Sequence, residues 1–276
     1  MSTETDDLEP AEELAALSAA LRGHLRRRIA AGRLREARPA LASAAEARPE
    51  AARVPPVAAA VASPPKPPPL LRSLTDNRAV AASCADLGAL RTAVASCTAC
   101  DLCKTRTQTV FAAGNGKARV MFVGEAPGEQ EDLRGEPFVG PAGQLLTDII
   151  HKGMGLARED VYIANVLKCR PPMNRDPSDM EKRLCTPWLS RQIELVDPLV
   201  IVPLGRHAAN YILGLEGPNA RSMGSLRQHV FDVGPRKVVP TFHPSYLLRT
   251  PSDKKECWKD IQLAMKELGL SRPSLR

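Results

Sequence analysis

The stretch GEAPGEQEDLRGEPFVGPAG, residues 124–143, decides how the rest of the chain is organised. An apolar run at residues 120–123 leads straight into Gly124-Glu125-Ala126-Pro127-Gly128, and an amphipathic segment follows from about Gln144. That order predicts a buried strand, a tight turn, a loop crowded with carboxylates and then a helix. Glycines in such a turn let backbone N–H groups approach a ligand closely. A helix starting near Pro141 would aim its positive end at the same place. Five acidic residues, Glu125, Glu129, Glu131, Asp132 and Glu136, crowd the loop beside one aromatic, Phe138. A pocket has more use for that combination than a surface connection does.

Outward from this stretch, three more apolar runs follow, at residues 161–164, 199–202 and 238–239. Segments with helical spacing separate them, at 145–154, 178–196 and 206–213, with a last one at 253–268. Strands alternating with helices argue for a parallel sheet covered on both faces. The expected fold is therefore α/β, a three-layer αβα sandwich around a central four-stranded parallel sheet. The predicted strands end at Gly124-Glu125, at Asn165, at Gly205 and at His243-Pro244-Ser245. Ligands of parallel α/β sheets sit at the carboxyl ends of the strands, so these residues are expected to converge.

All ten aromatic residues lie at or beyond Phe111, which places the core in the C-terminal two-thirds of the 276 residues. Residues 1–72 divide into a possible short basic helix at 14–34, carrying Arg26-Arg27-Arg28, and an Ala/Pro-rich stretch from about 38 to 72. The second stretch has little to bury and reads as a disordered linker. These 72 residues hold 11 Lys and Arg against 9 Asp and Glu, so most of the net charge of +7 belongs to the remainder. A positive balance permits binding to a polyanion. No signal peptide and no apolar run near the ~18 residues of a membrane span is visible. An odd count of seven cysteines without a secretory signal suggests reduced thiols in a cytosol, available for metal.

Cysteines form a second constellation. Leu87, Leu90 and Val94, at helical spacing, lead into Cys97-Thr98-Ala99-Cys100-Asp101-Leu102-Cys103. Cys169 follows Asn165 by four residues, and Cys185 lies on the next predicted helix. Four thiolates suit either zinc or an iron–sulfur cluster, and spacing alone does not choose. Cys103 extends the run toward a ferredoxin-like pattern, but the Cys-Pro that would complete it is missing. Cys84 and Cys257 read as small buried apolar residues.

From about Asp86 to Leu268 the chain resembles the family 4, iron–sulfur uracil-DNA glycosylases. The resemblance rests on Cys97-x2-Cys100 with Lys104-Thr105-Arg106, on GEAPG with the Glu-Asp and Pro-Phe-Val-Gly that follow, on Asn165-Val166-Leu167-Lys168-Cys169-Arg170-Pro171-Pro172, on Cys185 and on His243-Pro244-Ser245. Residues 1–72, the Ala/Pro/Arg-rich arm expected to be disordered, lie outside the resemblance, and residues 73–276 are expected to form the glycosylase domain. The resemblance implies a [4Fe-4S] cluster on Cys97, Cys100, Cys169 and Cys185, with Cys103 a bystander. The implied protein is a cytoplasmic monomer acting on uracil-containing DNA in base excision repair, with no membrane partner and no partner specified for the arm.

The chemistry suits the residues. A glycosylase must flip its target base into a pocket. Phe138 is the candidate to stack on uracil, and the Asn165 amide to pair with N3–H and O4. His243 is the candidate donor to O2 as the base leaves with negative charge. Glu125, Ala126 and Pro127 are expected to shape the pocket floor. Other uracil glycosylases carry a water-positioning aspartate where this chain has Ala126, so Glu131 is assigned that role, with Asp132 in reserve. Candidate phosphate contacts are Arg170, Arg175, Arg206, Arg249, Lys254 and Lys255. A DNA-crosslinking relative of the same fold is the alternative, but residues 169–185 lack the histidine and basic insert that the resemblance would require. A non-enzymatic redox module would not require Phe138, Asn165 and His243 together.

Overall fold

Alternation along a central strand decides which side chains face which layer. In β2 (Val120–Gly124) every residue is buried. Met121 and Val123 join one apolar cluster, while Val120 and Phe122 join another. Strand β3 (Tyr162–Asn165) divides the same way, with Tyr162 and Ala164 on one side and Ile163 on the other. Because successive side chains of a strand point to opposite faces, two clusters on one sheet require a covering layer on each side.

The structure, a computed structural model, describes residues 74–215 and 217–271. The expectations for residues 1–72, the basic helix and the linker, lie outside the described residues. Helices α1 (Leu74–Ser83) and α2 (Leu87–Ala95) precede the sheet. Strand β1 (Ala113–Gly114) and then β2 lead into α3 (Glu129–Arg134) and α4 (Pro141–Asp148), which runs on as a π turn at Ile149–Met154. After β3 come α5 (Asp179–Val196), β4 (Val200–Pro203), α6 (Arg206–Ile212) and α7 (Met223–Leu226). The hairpin β5 (Phe231–Val233) and β6 (Arg236–Val238) is followed by α8 (Pro244–Arg249) and α9 (Lys254–Leu268).

The sheet order is β1-β3-β2-β4-β6-β5. Its inner four strands, β3, β2, β4 and β6, are mutually parallel, as the apolar runs predict. Antiparallel β1 and β5 extend it at the two edges, and these two short strands are an addition to the expected four. One face packs on Leu90 and Val94 of α2 and on Trp188 and Leu189 of α5. The other packs on Leu146 of α4, Leu247 of α8, and Ile261 and Met265 of α9. Each such fully buried side chain contributes roughly 1.5–3 kcal/mol, so the two clusters supply the main drive for folding.

One buried polar knot ties α9 to the segment beyond β6. The Asp260 carboxylate, fully buried, accepts from Arg227 Nε at 2.7 Å, Thr241 Oγ1 at 2.7 Å and the Gln228 N–H at 3.1 Å. Thr241 lies two residues before His243, so this knot fixes the approach to the fourth strand-end motif. Removing one partner of a buried ion pair strands the other charge and costs about 3–5 kcal/mol. Asp260→Ala is therefore expected to lower unfolding free energy in urea by about that amount. A loss within ~0.5 kcal/mol, the usual range for surface substitutions, would show that the knot does not hold the helix.

Candidate active site and thiol pocket

The carboxyl ends of β2, β3 and the segment after β6 meet in a cleft of about 420 Å³. Glu125, Ala126, Pro127 and Glu131 line it from the first stretch, with Phe138 at its end. Asn165 enters from β3 and His243 from the start of α8, so all seven expected residues share one cavity. Tyr246 and Arg249, from the same helix, also line it.

Asn165 is the unusual member. It is 1% exposed, yet neither its Oδ1 nor its Nδ2 has a hydrogen-bond partner within the protein. Leaving a buried polar group unpaired costs about 1–3 kcal/mol, so an amide with both ends open toward a cleft is set up for a ligand. Two glycines make room for it and for Phe138. A Cβ on Gly124 would lie 2.3 Å from Asn165 Oδ1 and 2.6 Å from Phe138 Cζ. A Cβ on Gly143 would lie 1.8 Å from the Phe138 carbonyl oxygen.

Phe138 adopts a left-handed backbone with φ of 56°, strained for a bulky residue. Arg158 holds it there, its Nη2 donating to the carbonyls of Pro137 at 2.8 Å and Phe138 at 2.9 Å. Its Nη1 donates to Thr147 Oγ1 at 3.0 Å, tying the same guanidinium to α4. Nothing in the sequence pointed to Arg158, which lies 20 residues from the ring it supports.

His243 packs against Phe138 with ring centroids 5.6 Å apart. The Ser245 N–H donates to His243 Nδ1 at 3.1 Å, so Nδ1 is the acceptor and the proton of the neutral ring sits on Nε2. Burial, reinforced by the Arg249 charge, lowers the imidazolium pKa to about 4. The ring is therefore a neutral Nε2–H donor near neutrality.

Glu131 reaches the cleft with its carboxylate already engaged. Oε1 accepts the N–H groups of Val139 at 2.9 Å and Gly140 at 3.0 Å, and Oε2 accepts the Gly128 N–H at 3.1 Å. The Val139 and Gly140 N–H groups lie just before α4, so Glu131 holds the approach to the helix, while Ala142 of its first turn lines the cleft. Its neighbour Asp132 does not line the cleft: it is buried, and both its oxygens accept the Thr107 N–H at 3.0 Å. The reserve assignment to Asp132 is corrected on that ground. Glu125 meets His207 (Oε2 to Nε2, 4.0 Å), and His207 meets Asp176 at 3.4 Å. Burial raises the Glu125 carboxyl pKa and the His207 charge opposes that shift. The sequence reading stops at Gly205, two residues earlier, and points neither to His207 nor to its pairing.

A second, smaller cavity gathers thiols. Cys97, Cys100, Cys169 and Cys185 all line it, and so does Cys103. Burial is the first cause in raising the Cys169 and Cys185 thiols and in pushing Cys100 up to about 12. Donors surround the sulfurs: Arg106 Nη1 lies 3.1 Å from Cys169 Sγ and the Lys168 N–H 3.3 Å from Cys185 Sγ. The Trp188 indole N–H lines the same cavity, buried and without a partner. Among the described residues, Glu125, Asp176 and His207 are the one set of three ligating side chains with atoms all within 4.8 Å of one another. No three of the cysteine sulfurs are that close.

With this geometry in place, the class of the protein follows from comparison. A family model described as the uracil DNA glycosylase superfamily matches residues 111–262. The chain is 46% identical over 186 residues to the type-4 uracil-DNA glycosylase of Archaeoglobus fulgidus, covering 66% of this chain and 93% of that one. It is 49% identical over 162 residues to the type-4 enzyme of Thermotoga maritima, covering 58% and 82%. The corresponding protein of Saccharolobus solfataricus is 44% identical over 184 residues, covering 65% and 85%. The chain belongs to the uracil-DNA glycosylase superfamily and, within it, to the type-4 enzymes.

The lowered pKa of His243 makes a prediction about pH. A buried histidine binds its proton more weakly in the folded state, so the neutral donor persists until pH approaches about 4. Single-turnover rates are therefore expected to stay flat from pH 8 down to about 5.5, with no limb at the ordinary histidine value of about 6.5. A limb centred there that persists in His207→Ala would show that His243 titrates as a solvated ring.

Proposed function

We propose that this protein is a uracil-DNA glycosylase of base excision repair, hydrolysing the N-glycosidic bond of deoxyuridine in DNA. The observation that carries the reading is the Asn165 amide, buried and unpartnered in the cleft that Phe138 and His243 also line. Uracil presents N3–H as a donor and O4 as an acceptor on one edge. Asn165 Oδ1 accepts the first and Nδ2 donates to the second, whereas cytosine presents the reverse pattern. Phe138 supplies a flat face, and base–aromatic contacts of this kind are worth about 1–3 kcal/mol.

As the C1′–N1 bond breaks, its electron pair passes to the uracil ring and charge grows on O2. The Nε2–H of His243 donates there, while cationic character grows on the sugar. Water adds to C1′, and the proton it gives up balances the one taken up by the uracil anion, leaving neutral uracil and an abasic site. Glu131 keeps one lone pair of Oε2 beyond its three backbone bonds, and that lone pair is where we place the water. Glu125, Ala126 and Pro127 form the wall beside the base.

Cys97, Cys100, Cys169 and Cys185 are assigned as ligands of a [4Fe-4S] cluster, with Cys103 adjacent but not required. Two observations support a cluster over a single zinc ion. Four thiolates at ~2.3 Å from one zinc would stand about 3.8 Å apart, whereas no three of these sulfurs lie within 4.8 Å of one another. The unpartnered Trp188 N–H faces the same space, as a donor to a cluster sulfur would. When bound, the group supplies a covalent tie between the segment after α2, the loop after β3 and α5. A cytosolic compartment, where thiols stay reduced, suits such a site.

The test is release of free uracil from a uracil-containing oligonucleotide, followed by chromatography of the base. His243→Ala should slow single-turnover cleavage by about 10²–10³, the effect of losing one oxyanion-type donor, while binding to abasic product DNA stays nearly unchanged. Iron analysis of protein handled without oxygen should give about four irons per chain, retained in Cys103→Ser and lost in Cys169→Ser. Intact DNA with no free uracil would overturn the reading, and stoichiometric zinc would overturn the metal assignment.

A further inference from the structure

The loop between Cys169 and α5 carries a feature that neither the cleft nor the thiol pocket uses. Met173 is 91% exposed, the most exposed large hydrophobic side chain among the described residues. Its neighbours Pro171 and Asn174 line the cleft, so it stands on the rim. Met173 and Asn174 both have left-handed backbones, with φ of 56° and 53°. Each costs about 1–3 kcal/mol for a non-glycine residue. Such strain persists only where surrounding contacts over-determine it.

The loop is held in that way. The Asn174 N–H donates to the Pro171 carbonyl at 3.0 Å and the Arg175 N–H to the Pro172 carbonyl at 3.2 Å. Arg170 Nε donates to Asn174 Oδ1 at 2.8 Å. Arg175 makes a two-pronged pair with Glu181 at the start of α5, its Nη1 donating to Oε2 at 2.8 Å. A rigid tip presenting a bare thioether to solvent gains nothing for the free protein.

From this rim geometry we infer that Met173 is the wedge that enters the DNA stack when the target base leaves it. This rests on the glycosylase reading above. Extruding a nucleotide leaves a gap between its neighbours, and apolar side chains including Met are known to fill such steps. Met is unbranched and polarizable, so it conforms to flat base faces on both sides. A preformed tip also avoids ordering the loop on binding, which would otherwise weaken the complex. Leu248 of α8, 43% exposed, is the competing candidate, but it is less than half as exposed as Met173.

The test compares the full-length protein with Met173→Ala, Met173→Leu and Leu248→Ala. Substrates carry one uracil, either in a single strand or opposite adenine in a duplex, and single-turnover rates are measured. Met173→Ala should cleave the duplex about tenfold more slowly and the single strand within about twofold of wild type. Met173→Leu should restore the duplex rate, and Leu248→Ala should not reproduce the defect. A second readout uses a duplex with non-cleavable 2′-fluoro-deoxyuridine beside 2-aminopurine, which brightens as the base leaves the stack. Met173→Ala should bind this duplex with little brightening. Brightening equal to wild type, or equal slowing on both substrates, would overturn the wedge. Wild-type protein that releases uracil from neither substrate would instead overturn the glycosylase reading itself.

Discussion

A single buried ammonium holds the two halves of the site in register. Lys168 is 1% exposed, and its Nζ donates to the Asn165 carbonyl at 2.7 Å and to Gln192 Oε1 on α5. Taking such a charge out of water costs several kcal/mol unless its protons are satisfied, and burial pushes its pKa down to about 8. Gln192 in turn donates to the Phe111 carbonyl and the Tyr162 hydroxyl. The Lys168 backbone N–H meets Cys185 Sγ, and its carbonyl accepts from Val110. One residue thus fixes the end of β3, where the open Asn165 amide sits, and the start of the thiol loop.

The cleft is built on the same economy of fixed geometry. Glu131 joins the turn after β2 to the start of α4 through three backbone N–H groups. Arg158 locks the carbonyls on either side of the Phe138 ring. The rim loop is bounded by Cys169 and by α5, which carries Cys185, so it is anchored at the thiol pocket at both ends. Asn165 alone among these side chains is left without partners, as the role proposed for it in reading a base edge requires. Rigid surroundings and one open amide are what selective recognition by hydrogen bonding requires.

Period and punctuation made the four parallel strands legible. Their apolar runs are too short for helices and end in residues that have no reason to be apolar. Strands β1 and β5 escaped because they are two and three residues long and only partly buried, so no alternation develops. Phe138, Asn165 and His243 were readable as a set because the strand-end rule predicts convergence without knowledge of distances. What Glu131 does with its oxygens was not readable, since backbone donors leave no trace in side-chain spacing. Proximity in sequence puts Asp132 beside Glu131, yet one residue along a helix turns a side chain by about 100°. The partnership of Lys168 with Gln192, 24 residues away, depends on how α5 lies on the sheet. Only tertiary structure supplies that.

The open amide of Asn165 is the centre of this account, and Asn165→Ala tests it most directly. The side chain has no partner in the protein, so its removal breaks no internal hydrogen bond. Measured side by side, unfolding midpoint and single-turnover cleavage of a uracil duplex should therefore separate. The midpoint should hardly move, while cleavage should fall by about 10²–10³, the scale for losing a positioned polar group in a water-excluded site. Cleavage at the wild-type rate, or a loss that merely follows a fall in stability, would contradict the assignment of Asn165 as the reader of the base.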